Sequence, residues 1–232
     1  TFYLAVLLFS ILLGNQMILP SAANSSISEY EFGDTTVAQA LRYPSQRKIF
    51  YANGRHWIFY ANGTHIVYKT SVNGITWTLG DSNPITAGIT GDVFSIWFDQ
   101  TYLHYAYTDT SASMGLFYRR GFPNADGTIT WSTAEQTAVS GVSGITLSLP
   151  FVAVDTGNHP WIVYRHQKRG NYYPYVTRSS STNGTWSTDT GFPFKLSNDH
   201  SLGWISTITP LTSNKMYVVS FSAVNNYRRG RL

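Results

Sequence analysis

The feature that most limits how this chain can fold is a turn sequence that returns at a nearly constant interval. "SVNGITW" (71–77), "NADGTITW" (124–131) and "STNGTW" (181–186) each end on tryptophan, and Trp77, Trp131 and Trp186 stand 54 and 55 residues apart. The chain holds only 7 Trp in 232 residues, so two matched intervals mark an internal repeat. Ahead of the first turn, the apolar runs "KIFYA", "HWIFYA" and "HIVYKT" are separated by Asn-Gly pairs, a strong short-range hairpin signal. The second unit follows the same grammar with "DVFSIWFD", "TYLHYAYTD" and "GLFYRRG", and the third with "LPFVAVDTGNHPWIVYRH" and "YPYVTRSS". A fourth begins at "WISTITPLTSNKMYVVSFSAV" and shows no Trp turn before Leu232.

Each unit carries three strands, and a fourth is expected at and just after the Trp. Four antiparallel strands per repeat is the plan of a β-propeller blade. No window of the chain after the apolar N-terminus sustains helical periodicity. A sandwich needs no repeat of this size, and β-helix coils are much shorter. The expected fold is therefore all-β: a β-propeller of four-stranded antiparallel blades, an incomplete arc of three full blades and one partial. The blades fall at about 46–90, 91–143, 144–201 and 202–232, with 24–45 as a lead-in able to lend an outer strand.

The turns have a physical task in this plan. Asn73-Gly74, Asp126-Gly127 and Asn183-Gly184 tolerate positive φ, which a tight reversal between the third and fourth strands requires. Ser71, Asn73, Thr76 and Thr130 offer oxygens that hold such a turn closed, and Trp77, Trp131 and Trp186 are expected to fold onto the core of their own blade.

Composition narrows the function classes. Aromatics are 16% and charged residues 12% of the chain, well under the usual charged share of about 25%, which argues for packing rather than disorder. A net charge of +4 spread over so few charges is no footprint for nucleic acid. With no Cys, stability comes from packing without disulfides or thiolate metal sites. The 6 His show no zinc-binding spacing, and neither a phosphate loop nor a nucleophile elbow occurs, so no metal and no cofactor is expected. Sequons at 24–26, 62–64 and 183–185 carry weight only in a glycosylating host.

At the N-terminus, "FYLAVLLFSILL" (2–13) precedes small residues ending at Ala23, the pattern of a secretory signal over 1–23. An uncleaved anchor and a buried strand or helix are the alternatives; the run is short for a membrane span. A secreted or cell-surface location is expected, with any membrane contact made only through an uncleaved signal.

The three Trp turns resemble shortened Asp-box motifs, S-x-D-x-G-x-T-W, and over 46–232 the chain is similar to sialidase-like propellers. Asn replaces Asp in two copies. The resemblance implies an extracellular glycan partner, three substrate-binding arginines, a Tyr–Glu nucleophile pair and an early Asp acid/base. Arg42 in "LRYP" echoes the first arginine, and equally reads as a surface cation before a proline-bent strand; Arg47 is a second cation for the axis. Between Asp34 and Asp81 there is no Asp, so the first blade lacks the implied acid/base, and Glu135 follows a Trp turn where an outer strand is expected.

Ligand-binding candidates at the blade ends are Asp92, at the entrance of the second blade, Arg119 in "YRRG", and Arg165 and His166 in "YRHQKRGNYYPY", where cations stand beside flat tyrosines. By strand alternation, Arg119 and Arg120 point to opposite faces. Each of these also reads as a solvated loop or strand-entrance residue. The expectation is a secreted propeller that binds a glycan, with processing of that glycan left open. A protein-interaction propeller and an exo-glycosidase are the rival classes.

Overall fold

The computed structural model describes residues 29, 31–33, 35–78, 84–87, 93–108, 115–200, 204–222 and 228–231. The proposed signal segment 1–23 and Asp92 lie outside them. The chain divides into Thr1–Tyr30 and Glu31–Leu232, and every strand belongs to the second unit.

That unit is a succession of antiparallel sheets, each built from consecutive strands. The first contains β1 (Ile49–Ala52), β2 (Arg55–Ala61), β3 (His65–Ser71) and β4 (Pro84–Ala87) in that order. The second contains β5 (Phe94–Phe98), β6 (Leu103–Thr108), β7 (Leu116–Pro123) and β8 (Ile129–Trp131), with β9 (Gln136–Val139) also paired to β7. The third contains β10 (Ile145–Val154), β11 (Pro160–Lys168), β12 (Asn171–Arg178) and β13 (Phe194–Lys195). Three strands form the fourth: β14 (Ile205–Pro210), β15 (Met216–Phe221) and β16 (Arg228–Arg231). These are propeller blades, three complete and one three-stranded, as the repeat requires. Among the described residues there is no α-helix, and no helix is long and apolar enough to cross a membrane.

The core is divided into three layers, one between each pair of neighbouring blades. Trp57, Phe59 and Tyr68 of the first blade meet Phe94, Tyr105 and Tyr107 of the second. Ala106, Leu116 and Tyr118 then meet Leu147, Ile162 and Tyr164 of the third, and Phe151, Val163 and Val176 meet Ile208, Met216 and Val218 of the fourth. The central strands β2, β3 and β6 are buried on both faces, which is why their sequences are apolar and aromatic with few charges, while β15 of the fourth sheet is buried on one face only.

One expectation needs correction. In the first and third blades the outer strand does not begin at the Trp: β4 and β13 start at Pro84 and Phe194, 7 and 8 residues beyond it, whereas in the second blade β8 ends on Trp131 and a further strand, β9, starts at Gln136. The described part of the lead-in forms turns rather than a strand, held by Thr35 Oγ1 donating to the Ala61 carbonyl at 2.7 Å and Ala61 N to the Ala40 carbonyl at 3.2 Å.

The second and third Trp turns serve the preceding blade as well as their own. Trp131 packs on the layer between blades one and two, and Trp186 on the layer between two and three, its ring 5.1 Å from that of Tyr118. Arg55 Nε of the first blade donates to the Ala125 carbonyl at 2.6 Å, and Asn53 to the Pro123 carbonyl. One blade on, Arg120 donates Nη1 to the Thr182 carbonyl and Nη2 to the Asn183 carbonyl, both at 2.6 Å, and Thr133 Oγ1 donates to the Gly184 carbonyl at 3.1 Å. The second and third turns thus plug into the sheet before them, while Trp77 of the first lies 6.2 Å from the Phe32 ring of the lead-in.

Within each turn the side chains act as expected. Asn73 Oδ1 accepts from the Ile75 and Thr76 amides at 2.9 Å, while Ser71 Oγ accepts from Gly74 N at 2.9 Å. Asn183 Oδ1 accepts from Thr185 N at 3.0 Å, and Asp126 Oδ1 from Thr128 N at 2.9 Å; Thr130 Oγ1 accepts from Asn124 Nδ2 at 2.8 Å. Gly127 and Gly184 have φ of 93° and 101°, and both also touch the neighbouring blade. A Cβ on Gly184 would stand 3.0 Å from Ser132 Cβ and 3.1 Å from Arg120 Nε; one on Gly127 would stand 2.8 Å from Thr70 Oγ1.

These contacts set a comparison. Gly144 has a φ of 75° with open space around it, so Gly144→Ala is expected to cost about 1 kcal/mol, from backbone strain alone. Gly184→Ala adds crowding at the blade interface and is expected to cost about 2–3 kcal/mol. Urea unfolding of the two variants checks this; equal losses would show that Gly184 is needed for its turn and not for docking.

Candidate functional site

The inner strands of successive blades lie side by side, and the segment entering the first blade is laid against them. Its 3-10 turn, Pro44–Gln46, touches both β5 and β10. Gln46 is buried and donates Nε2 to the Pro150 carbonyl at 3.0 Å. Lys48 is buried too, its Nζ bonded to the Phe94 carbonyl and 3.3 Å above the centre of the Phe94 ring. Between them Arg47, at φ 49°, is exposed and lays its guanidinium 3.6 Å over Trp97. Arg47 is therefore a stacked cation at the inner strands, whereas Arg42 sits outside them, bonded to Gln39 Oε1 at 2.6 Å and 4.9 Å over Tyr43.

The basic and aromatic hairpin of the third blade is split by strand alternation. Arg165 lies opposite Ser148 and Pro174, donates Nε to Ser148 Oγ at 3.0 Å and covers Tyr172 at 4.7 Å. His166 lies opposite Leu147 and Tyr173, on the other face. There it stacks on Tyr175 with ring centres 4.9 Å apart. Beside it, Lys195 Nζ stands 3.7 Å over the Tyr173 ring, and His200 is 6.4 Å from that ring. His166, Tyr173, Tyr175 and Lys195 are each partly exposed, with Lys195 lying over one face of Tyr173 and Tyr175 held between His166 and Tyr164. Burial first, then the charges of Lys168 and Lys195, push the His166 pKa down, leaving a neutral ring near pH 7; its buried Nδ1 has no hydrogen-bond partner. Arg165 and His166 do not form one site. His166 joins Lys195 instead, a residue with no local sequence signal, brought in only by the pairing of β13 with Tyr175.

The second blade places Arg119 and Arg120 on opposite faces. Arg119 stacks 4.2 Å over Trp131 and Arg120 4.1 Å over Tyr102. Near Arg119, the Tyr107 hydroxyl donates to Glu135 Oε2 at 2.7 Å. Glu135 thus has a tyrosine partner, but that ring is buried and stacked on Phe117 at 5.0 Å, inside the layer between blades one and two. The pair ties strands together and offers no accessible nucleophile.

A polar cavity of about 210 Å3 lies on the far side, lined by Asp99, Thr101, Tyr102, His104, Arg120, Asn158 and Thr182. Asp99 accepts from the Thr101 and Tyr102 amides at 2.8 and 2.6 Å and holds His104 Nε2 at 2.8 Å. His104 Nδ1 is 2.7 Å from the Tyr118 hydroxyl. With Asp99 ionised, Nε2 carries the ring proton and Nδ1 accepts from Tyr118. In the third blade, Asp155 occupies the corresponding turn and accepts from Trp161 Nε1 at 2.9 Å, with Arg178 Nη2 at 3.3 Å. The repetition of this arrangement, with its donors and acceptors already matched, makes it a structural latch. Among the described residues, no three of His, Asp and Glu are placed to hold a metal ion.

The latch carries a pH signature. Burial pulls the His104 pKa below its ordinary 6.5, with Asp99 opposing and Arg120 assisting the shift. The unfolded chain takes up a proton near 6.5 that the folded chain refuses, so stability falls as pH drops through that value, by at most about 1.4 kcal/mol per pH unit. His166 acts with the same sign. Asp99, held below the ordinary carboxylate pKa by its bonds from His104 and two amides against the cost of burial, adds a further loss only in stronger acid. His104→Gln is expected to be less stable at pH 7 and to lose less than the parent between pH 7 and 5, in melting temperatures read across that range.

No protein-family model and no curated protein matches the sequence. Among solved structures, the chain is similar to an ulvan lyase of a polysaccharide lyase family, bound to -[GlcA(1-4)Rha3S]-, with a TM-score of 0.55 and 11% identity over 82% of this chain and 48% of that one. It also aligns with an endo-arabinase from Bacteroides thetaiotaomicron at a TM-score of 0.47 and 14% identity, over 79% of this chain and 72% of that one. An α-L-arabinanase from Penicillium chrysogenum, complexed with arabinobiose, aligns at a TM-score of 0.48 and 11% identity, over 79% of this chain and 60% of that one. The chain spans about half the length of the ulvan lyase, 48%, and at 11% identity their likeness is one of fold.

Proposed function

We propose that this chain is a carbohydrate-binding part of a secreted, sialidase-like β-propeller, and that it binds an acidic glycan on the outer half of its third blade. The observation that carries the reading is Lys195 Nζ 3.7 Å over the Tyr173 ring, beside His166 stacked on Tyr175. Aromatic faces take up the apolar side of a sugar ring, and a cation held next to them takes up a carboxylate or sulfate. The mild positive charge of the chain, +4, favours the same class of ligand. The ulvan lyase that shares the fold is bound to -[GlcA(1-4)Rha3S]-, an acidic repeat, which supports the reading.

Among the described blade residues, Asp99, Asp155 and Asp189 are bonded to His104, Trp161 and Arg178, Asp126 closes its turn, and Glu135 is held by Tyr107. The reading therefore rests on binding, and no role as the proton donor of a hydrolase is assigned to these five.

Calorimetric titration with uronate-bearing or sulfated oligosaccharides, against neutral ones of equal length, tests the reading. Acidic ligands are expected to bind more tightly, with an affinity that falls as salt rises. Lys195→Ala and Tyr173→Ala are each expected to weaken binding about tenfold, a loss of about 1.4 kcal/mol. Equal binding of neutral and acidic ligands, or wild-type affinity in both variants, overturns it.

A further inference from the structure

The two described docking events define a receptor on each blade, and the third blade presents that receptor unfilled by any turn among the described residues. On the second blade the seat of Trp186 is made by Tyr118 on β7 and by Gln136 and Ala138 on β9: the Trp186 ring meets Tyr118, its amide donates to Gln136 Oε1 at 3.3 Å, and Thr188 Oγ1 reaches the Ala138 carbonyl. Sheet register gives the counterparts on the third blade. Tyr118 pairs with Gln136 on β9, and Val176 pairs with Phe194 on β13. Arg120 pairs with His104 and Arg178 with Trp161, which aligns Arg120 with Arg178 and Tyr118 with Val176. Phe194 and Leu196 then correspond to Gln136 and Ala138.

Those counterparts line a cleft of about 560 Å3, walled by Val176, Phe194, Leu196, Trp161 and Phe192 on the third blade and by Met216 and Val218 on the fourth. Phe194 is 46% exposed. Arg178, in the position from which Arg120 grips two turn carbonyls, has Nη1 on Asp189 and Nη2 on Asp155, and its buried Nε is without a partner.

We propose that this cleft is a docking site for a partner polypeptide hairpin carrying an Asp-Gly-x-x-Thr-Trp or Asn-Gly-Thr-Trp turn, like those at 126–131 and 183–186, its indole seated on Val176 and Phe194. The occupant is argued from continuity with the two interfaces already formed: blades one and two each receive such a turn from the next sheet, blade one through Asn53, Arg55 and Thr70 and blade two through Tyr118, Arg120 and Gln136. The seat on blade three is the more apolar, with Phe194 where blade two has Gln136, so the indole supplies most of the binding and turn carbonyls supply the rest. This surface lies on the face of the third blade opposite His166 and Lys195, and it is independent of the glycan reading.

The probe is a disulfide-cyclised peptide copying residues 178–189, fluorescently labelled and titrated into the full chain with anisotropy as readout. Cyclisation is needed because a lone two-stranded hairpin is marginal in water. Saturable binding is expected, weakened about tenfold or more in a peptide with the Trp186 position changed to Ala. Phe194→Asp in the protein, at an exposed position where circular dichroism is expected to stay unchanged, should abolish binding. Absence of saturable binding overturns the proposal, as does binding that survives loss of the indole or the Phe194→Asp change. Sedimentation supplies a further outcome: concentration-dependent self-association of the parent that Phe194→Asp removes would assign the cleft to a second copy of the chain and also overturn it.

Discussion

Blade-to-blade docking through the Trp turns is the contact on which the rest of this structure depends. A four-stranded sheet has two apolar faces and cannot stand alone in water, so each blade needs a neighbour on either side. Apolar packing brings the sheets together without fixing how far one slides past the next. The turns supply that registration. Arg120 holds the Thr182 and Asn183 carbonyls through a planar fork, and the close approach of Gly184 to Ser132 permits no other distance. Because the acceptors are main-chain carbonyls, the contact is largely indifferent to the side chains of the turn. This explains how Asn stands in for Asp in two of three copies without loss of architecture.

The same division of labour shapes the surface. Several charged groups in the described blades are committed to holding turns: Asp99 and Asp155 cap the first hairpin of their blades, Arg178 bridges Asp155 and Asp189, and Arg119 lies over Trp131. The exposed end of the third blade differs. There, Lys195 and His166 are supported by aromatic rings rather than by counter-ions. A cation without a carboxylate partner, resting on a flat ring, is the arrangement that an incoming anion can exploit.

The blades and their turns were legible in the sequence because both are local. Asn-Gly pairs, alternating aromatic runs and a fixed Trp interval operate within a few residues of one another. The placement of the outer strand was not legible, since residues after Trp131 and Trp186 also bond to a different blade, and nothing near Trp77 announces that pairing resumes at Pro84. The grip of Arg120 on Thr182, 62 residues away, was equally hidden, as its acceptors have no side-chain signature. At the candidate site, the mixture of cations and tyrosines in 164–175 was visible, and the two-residue period already separates Arg165 from His166. The arrival of Lys195 was invisible, because a two-residue strand carries no pattern to read.

One bond bears on how the chain reaches this arrangement. Gln46 donates to the carbonyl of Pro150 across 104 residues, and its segment rests against the inner strands of both the second and third blades. On a ribosome emitting about 5–20 residues per second, the first blade leaves the tunnel many seconds before its partner at Pro150 exists. The entrance of the first blade must therefore wait, with Gln46 and Lys48 hydrated, until two further sheets have formed. The earliest part of the arc to be synthesised is among the last to be finished. A chaperone that shields the segment around Gln46 during that interval would protect a stretch whose burial depends on residues 104 positions further along the chain.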